Sequence, residues 1–376
     1  MRLFLFMKST LLSLFTFVSL ATHVPAATCY VYVGSYTKGP EEGITLLKMD
    51  EATGKLENLG VTAAAPNPTF LTVDAKGEFL YAVHERQPGA VAAYRIDRTS
   101  GKLQFLNAES TKGDGPCHVC VDQARRNLIA SNYGSGSVAC LPIKADGSLA
   151  PASFFEQFTG QGPNPQRQEG PHAHGAYLSP DEKFALVADL GTDRIYVYHF
   201  DGEKGLLTKN APPAGNTAPG AGPRHGTFSP DGSKFYIINE LNNTITSFAW
   251  DAAKGNLTAL QSVSTLEKPM AESSTAEIEF HPNHKVLYGS NRGHNSIARY
   301  AVDDAGRLTL QDLTSTTGPM PRHFAVHPSG LWMLAGNQKA ETLITYAVDP
   351  VSGKLTLQGP PLSLRAPVCI VYLRIP

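Results

Sequence analysis

Arg224-His225-Gly226-Thr227-Phe228-Ser229-Pro230-Asp231-Gly232 opens on a guanidinium and an imidazole, alternates into apolar residues and stops at a Pro-Asp-Gly turn. His174-Gly175-Ala176-Tyr177-Leu178-Ser179-Pro180-Asp181 and Arg322-His323-Phe324-Ala325-Val326-His327-Pro328-Ser329-Gly330 repeat the pattern. A second strand follows each turn and ends in Asn, Glu or Asp, as at Asn239 and Glu240. A unit that recurs about every fifty residues is the signature of a stacked or circular array, in which each unit completes its neighbour's core.

Working outward, further inner strands are expected to start near Pro68, His118, Glu277 and Val368. Together the starts lie about 45 to 56 residues apart, a spacing that accommodates four strands. Each unit has an apolar second strand, such as Phe235-Tyr236-Ile237-Ile238, and an alternating third, such as Ile245-Thr246-Ser247-Phe248-Ala249-Trp250-Asp251. A Gly (Gly54, Gly101, Gly205, Gly255, Gly306, Gly353) starts a short outer strand. Period-two alternation with turn signals every ten or so residues is an all-β pattern. Six units are complete after Pro68. Residues 30–59 supply a second, third and outer strand, and residues 368–374 an inner one. Joined, the termini make a seventh unit and remove two exposed sheet edges. The sequence therefore predicts a seven-bladed β-propeller, one domain over residues 28–376, with its last blade closed by both termini.

The chain has 376 residues, 42% hydrophobic and 17% charged, with a formal net charge of −1, the composition of a soluble globular protein. No Lys/Arg cluster appears, so nucleic acid is not an expected partner. Residues 1–27 carry Arg2 and Lys8, an apolar stretch from Leu11 to Ala21, and small residues at Ala26 and Ala27. That is a secretory signal pattern whose apolar core is too short to span a bilayer. The expectation is a signal peptide over 1–27 and an exported (periplasmic or secreted) monomer with no membrane attachment after cleavage. The five cysteines (Cys29, Cys117, Cys120, Cys140, Cys369) are odd in number and sparse, unlike a disulfide framework. Cys117 and Cys120 lie three apart on a strand, facing opposite sides, and read as packing residues.

In such a ring the inner-strand starts and the loops between second and third strands meet at one mouth of the central channel. The first set includes His118, His172, His174, Arg224, His225, Glu277, Arg322 and His323; the second includes His84, Glu85, Asn132, Asp189, Asn239, Glu240, Asn291, Arg292, Asn337 and Gln338. A lone His or Asn there reads as wet channel lining. Arginines, glutamates and histidines together offer rigid anion-binding forks and groups that move protons near neutral pH. His118, His225, Glu277, Arg322, His323 and Asn291 are the expected substrate-binding residues. His281, His284 and His327 fall in turns at the opposite mouth and are expected on the surface. His172 and His174 share a strand face but have no fitting carboxylate or Cys set, so no metal and no cofactor are expected. Neither a Gly-x-Ser-x-Gly elbow nor a phosphate-cradling Gly loop is present.

Several segments also carry a family resemblance: Gly115-Pro116-Cys117-His118-Val119, Asn132-Tyr133-Gly134-Ser135-Gly136-Ser137-Val138, Gly222-Pro223-Arg224-His225, Asn239-Glu240, Ala276-Glu277-Ile278, Ser290-Asn291-Arg292-Gly293-His294-Asn295-Ser296-Ile297 and Pro321-Arg322-His323-Phe324. Through them the chain resembles the propeller lactonase family, which includes propeller-type 6-phosphogluconolactonases and carboxy-muconate lactonizing enzymes. The resemblance spans nearly all of the chain after residue 27; it departs at Cys120, where the family usually has Ser, and in the leader. It implies hydrolysis of a small-molecule sugar (phospho)lactone to the aldonic acid, with His174, Arg224, Glu240 and Arg292 catalytic. Arg224 and Arg292 would hold an oxyanion or a substrate anion, and Glu240 or His174 would be the base on water. Two other readings stand beside it: a non-catalytic exported binding scaffold, and a muconate-type lactonizing enzyme.

Overall fold

The computed structural model describes residues 28–374, so the expected leader lies outside the described residues. Every element among them is a β-strand, and the strands form seven four-stranded antiparallel sheets. Blades 1 to 6 span 71–110, 116–157, 173–216, 223–264, 274–315 and 321–363. Blade 7 pairs Pro367–Arg374 with Thr28–Ser35, Tyr32 opposite Val371 and Val33 opposite Ile370, and continues outward to residue 64. The inner strands of successive blades touch all the way round, and the ring is closed by the termini, as the sequence predicts.

The core is divided into seven apolar clusters, one between each pair of neighbouring blades. Phe184, Leu186, Val197, Phe235, Ile237 and Phe248, for example, interleave blades 3 and 4. Both faces of each second strand are buried, which is why segments such as Phe235–Ile238 read as unbroken apolar runs rather than alternating ones. Fully burying each such side chain contributes about 1.5–3 kcal/mol. Tyrosines stitch the clusters together. Tyr32, Tyr81, Tyr236 and Tyr288 each donate from Oη to the carbonyl of an outer-turn glycine in the next blade, at 2.8, 3.1, 2.9 and 2.5 Å. The recurring Asp-to-Gly turns explain themselves locally: Asp251 Oδ1 accepts from the N–H groups of Ala253 and Lys254, and Gly255 closes the turn at φ 63°.

Two expectations change at the far mouth. His281 and His327 are buried rather than on the surface, whereas His284 is exposed. His281 bridges blades through Nε2 to Gly330 O at 2.8 Å, and His327 Nδ1 accepts from the Ser329 N–H at 3.1 Å. Both organise their own turns, a role that strand periodicity does not reveal.

Candidate active site

A β-bulge at the same place in successive inner strands builds the near mouth. One extra residue is inserted at Cys117, His174, Arg224, Arg322 and Val368, and Ala276-Glu277 carry the equivalent irregularity in blade 5. Bulges bend a strand and re-aim the extra side chain. His174 and Arg224 are 3% and 2% exposed there.

The second strands contribute by a one-residue offset. Asn132, Asn239, Asn291 and Asn337 stand at equivalent positions at or next to the ends of the second strands and are fully buried, each donating from Nδ2 within its blade or to the adjoining loop. Asn291 Nδ2 donates to Thr265 O at 3.0 Å and to Ser296 Oγ at 3.2 Å. Asn337 does the same with Thr316 O and Thr342 Oγ1. Asn291 is thus a latch on its connecting loop, and the structure does not bring its amide to the other expected substrate-binding residues. The residue one further on reaches the mouth: Tyr36, Glu85, Tyr133, Glu240 and Arg292.

Glu240 is the centre of the upper layer. Its Oε2 receives Arg224 Nε at 3.1 Å and Arg292 Nη2 at 2.9 Å, and its Oε1 receives Arg167 Nη2 at 2.6 Å. Arg224 Nη1 also donates to Ala276 O at 2.7 Å, and Arg292 Nη2 to Thr275 O at 2.6 Å, so the blade 5 irregularity anchors both forks. Burial alone would raise the Glu240 carboxyl pKa, but Arg292, Arg224 and Arg167 outweigh it and hold the group well below the carboxylate range. Glu240 is therefore a fixed anion. Arg322 differs: among the described residues it has no ion pair, and it rests against Tyr36, with its guanidinium carbon 5.6 Å from the ring centroid and Nη2 3.4 Å from Oη. Tyr36 in turn donates to Glu85 at 2.8 Å, and Glu85 also accepts from Thr69.

One residue further along the inner strands lies a layer of imidazoles. His118 packs on Phe70 with centroids 4.2 Å apart, and His225 meets His118 at 5.3 Å and His174 at 5.0 Å. Glu277 Oε2 lies 2.9 Å from His225 Nδ1 and 3.2 Å from His323 Nε2. His174 has Cys117 Sγ 3.7 Å from Nδ1, and its Nε2 has no protein hydrogen-bond partner among the described residues. Burial first, then Arg224, His225 and Arg322, push the His174 pKa well below 6.5, so the ring is neutral and able to accept a proton.

His118, His174, Arg224, His225, Glu240, Glu277, Arg292, Arg322 and His323 are thus brought together. His172 turns away: Nδ1 meets Tyr133 O at 3.0 Å, Nε2 meets Glu169 at 3.0 Å, and the ring stacks on Tyr133. It does not pair with His174 as a metal-ligand couple. The repeat also missed Arg167, because loop 160–171 has no counterpart in other blades. Buried Gln168 pins that loop by donating to Leu190 O and Asp193 Oδ1, both at 2.8 Å. Cys117, read as packing, is buried yet touches His174 at the mouth; Cys120 joins the cluster between blades 2 and 3.

Residues 30–372 match the family model described as lactonase, 7-bladed beta-propeller. The chain belongs to the seven-bladed propeller lactonase family. Among its relatives, the 6-phosphogluconolactonase of Bacillus subtilis is 35% identical over 345 residues, 91% of this chain and 97% of that one. The 6-phosphogluconolactonase of Formosa agariphila is 31% identical, covering 86% of this chain and 94% of the relative. The solved structure of the Pseudomonas aeruginosa periplasmic gluconolactonase superposes with a TM-score of 0.87 at 31% identity, covering 93% of this chain and all of that one. The mouth just described gathers a buried neutral imidazole at His174, two guanidiniums fixed on Glu240, and Arg322, which has no ion pair among the described residues.

Proposed function

We propose that this lactonase opens a sugar-acid lactone carrying a phosphate, a 6-phosphogluconolactone-type substrate, to the aldonate. The observation that carries the reading is the division of labour among the charged groups. Glu240 is saturated by three guanidiniums, which leaves His174 as the proton acceptor and Arg322 as the cation free to meet a substrate anion. Water attacks the carbonyl carbon as its proton passes to His174 Nε2, and the developing oxyanion faces the remaining N–H groups of Arg224 and Arg292. Collapse breaks the acyl–oxygen bond of the ring, the imidazolium returns the proton to the leaving alkoxide, and the new carboxylic acid ionises with net release of one proton. Arg322, a planar fork already oriented by Tyr36, suits a phosphate better than a flexible ammonium would. The leader pattern supports export, and a periplasmic relative is in keeping with it.

The test is proton release from gluconolactone and 6-phosphogluconolactone, with and without chelator, against a buffer blank. Both should run above the blank, the phosphorylated lactone with the lower KM. Arg322→Gln should raise that KM at least about tenfold while changing kcat much less. Blank rates for both lactones would refute the function; an unchanged KM in Arg322→Gln would refute the phosphate assignment.

A further inference from the structure

The cationic mouth has a cost for catalysis. Guanidiniums that stabilise an oxyanion also disfavour an imidazolium next door, and Glu240 is already consumed by arginines. A base that must gain a proton there needs a carboxylate not held by arginine. Glu85 is engaged by Tyr36 and Thr69. Glu277 has neither fate: its Oε2 faces two imidazole nitrogens and its Oε1 accepts the Ile278 N–H at 3.0 Å.

Burial raises the Glu277 carboxyl pKa, and His323 and Arg224 oppose it; the ionised carboxylate can only accept, so with it His225 is fixed with its proton on Nδ1 and His323 with its proton on Nε2. The opposite nitrogens, His225 Nε2 and His323 Nδ1, then carry lone pairs, and each is buried with no hydrogen-bond partner among the described residues. The two side chains are 4% and 10% exposed, and the His225 ring is 5.0 Å from that of His174. Burying two unpartnered acceptors beside the reacting base is unfavourable and calls for an explanation, of which a catalytic role is one.

We propose that Glu277 is a positioning residue for hydrolysis: acting through His225 and His323, it orients the imidazole layer beside His174 and supplies the negative charge that offsets the positive charge His174 gains with the attacking water's proton. The arrangement follows the logic of a carboxylate–imidazole pair, in which the acid sets the tautomer and stabilises the imidazolium without itself accepting the proton. The inference rests on the lactonase reading above. Charged groups facing the layer are Arg224 and Glu240 from blade 4, Arg292 from blade 5 and Arg322 from blade 6, and burial favours the protonated form of the neighbouring Glu279 carboxyl. His118, His174, Tyr177 and Cys369 complete its titratable surroundings from blades 2, 3 and 7. Cations dominate, so removing the Glu277 charge lowers the proton affinity of the base.

The experiment compares the pH profile of kcat and kcat/KM for wild type and Glu277→Gln on the lactone that wild type hydrolyses. The expected result is a kcat lower by about 100-fold, little change in KM, and an acid limb displaced downward by about one pH unit. An unmoved acid limb, or a loss confined to KM, overturns the proposal. A readout free of the variant's folding is the proton NMR spectrum of the wild type at neutral pH. Two slowly exchanging, strongly downfield imidazole N–H signals, from His225 and His323, are expected, and their absence overturns the proposal. If wild type hydrolyses no lactone, the function fails while the NMR signals still decide the Glu277 geometry.

Discussion

Replacing Glu240 by Gln tests whether this residue is the fixed counter-ion of the mouth. The substitution preserves shape but leaves Arg224 and Arg292, 3% and 6% exposed at the side chain, with their charge uncompensated. Each close pair is worth about 4 kcal/mol gross at an effective dielectric of 20, and desolvation offsets most of it. Arg167 is 39% exposed, so its share is screened. Breaking a buried ion pair from one side costs about 3–5 kcal/mol. At roughly 2 °C per kcal/mol for a chain of this size, Tm should fall by roughly 6–10 °C. Phosphate should restore part of that loss, because an anion that binds only the folded state stabilises it by mass action, about 2.7 kcal/mol at a hundred times Kd. Thermal melts of both proteins across a phosphate series measure this. A Tm within about 2 °C of wild type, or equal phosphate gains in both proteins, would refute the reasoning.

Other outcomes follow from the same geometry. His174 must be neutral to act, and burial with Arg224 favours that form, so the acid limb of kcat/KM should lie below 6.5 and vanish in His174→Gln with roughly 100- to 10,000-fold loss; a limb above 6.5 contradicts it. Burial raises the Glu279 carboxyl to about 8, above its ordinary 4.5, so the fold favours the protonated group and is destabilised as pH rises from near 4.5 through 8. Glu279→Gln should therefore gain on the order of 2–3 kcal/mol over wild type at pH 9 relative to pH 5, allowing for its half-buried position, by urea melts at both values. Arg167→Ala should cost at most about 1 kcal/mol, since half of its pair is solvent-screened, yet weaken substrate binding as a measured rise in KM.

The ring was legible because its unit is written seven times and split once. Turn Asp and Gly residues and apolar second strands are local signals, and the closing pair of Thr28–Ser35 and Pro367–Arg374 follows from counting. The site was legible where a blade departs from the repeat: Glu240 and Arg292 occupy a position that Leu190 fills in blade 3. Asn291 misled for the complementary reason. An Asn at that strand end recurs in four blades, and a polar residue that repeats serves the architecture, latching a connecting loop to its blade. Arg167 was out of reach because its loop has no counterpart, and the pairing of Glu277 with two histidines depends on a bulge that shifts facing by one residue. Buried His281 and His327 likewise needed the packing of neighbouring blades to be seen.

In the proposed mechanism water, assisted by a neutral histidine and guanidinium donors, attacks the lactone carbonyl at this mouth. Hydrolysis in heavy-oxygen water with enzyme in excess over substrate tests it in a single turnover. Label is expected in the new carboxylate of the aldonate, with none in the released hydroxyl and none in the protein. Label in the hydroxyl, label in Glu240, or no opening of the lactone beyond the blank would contradict it.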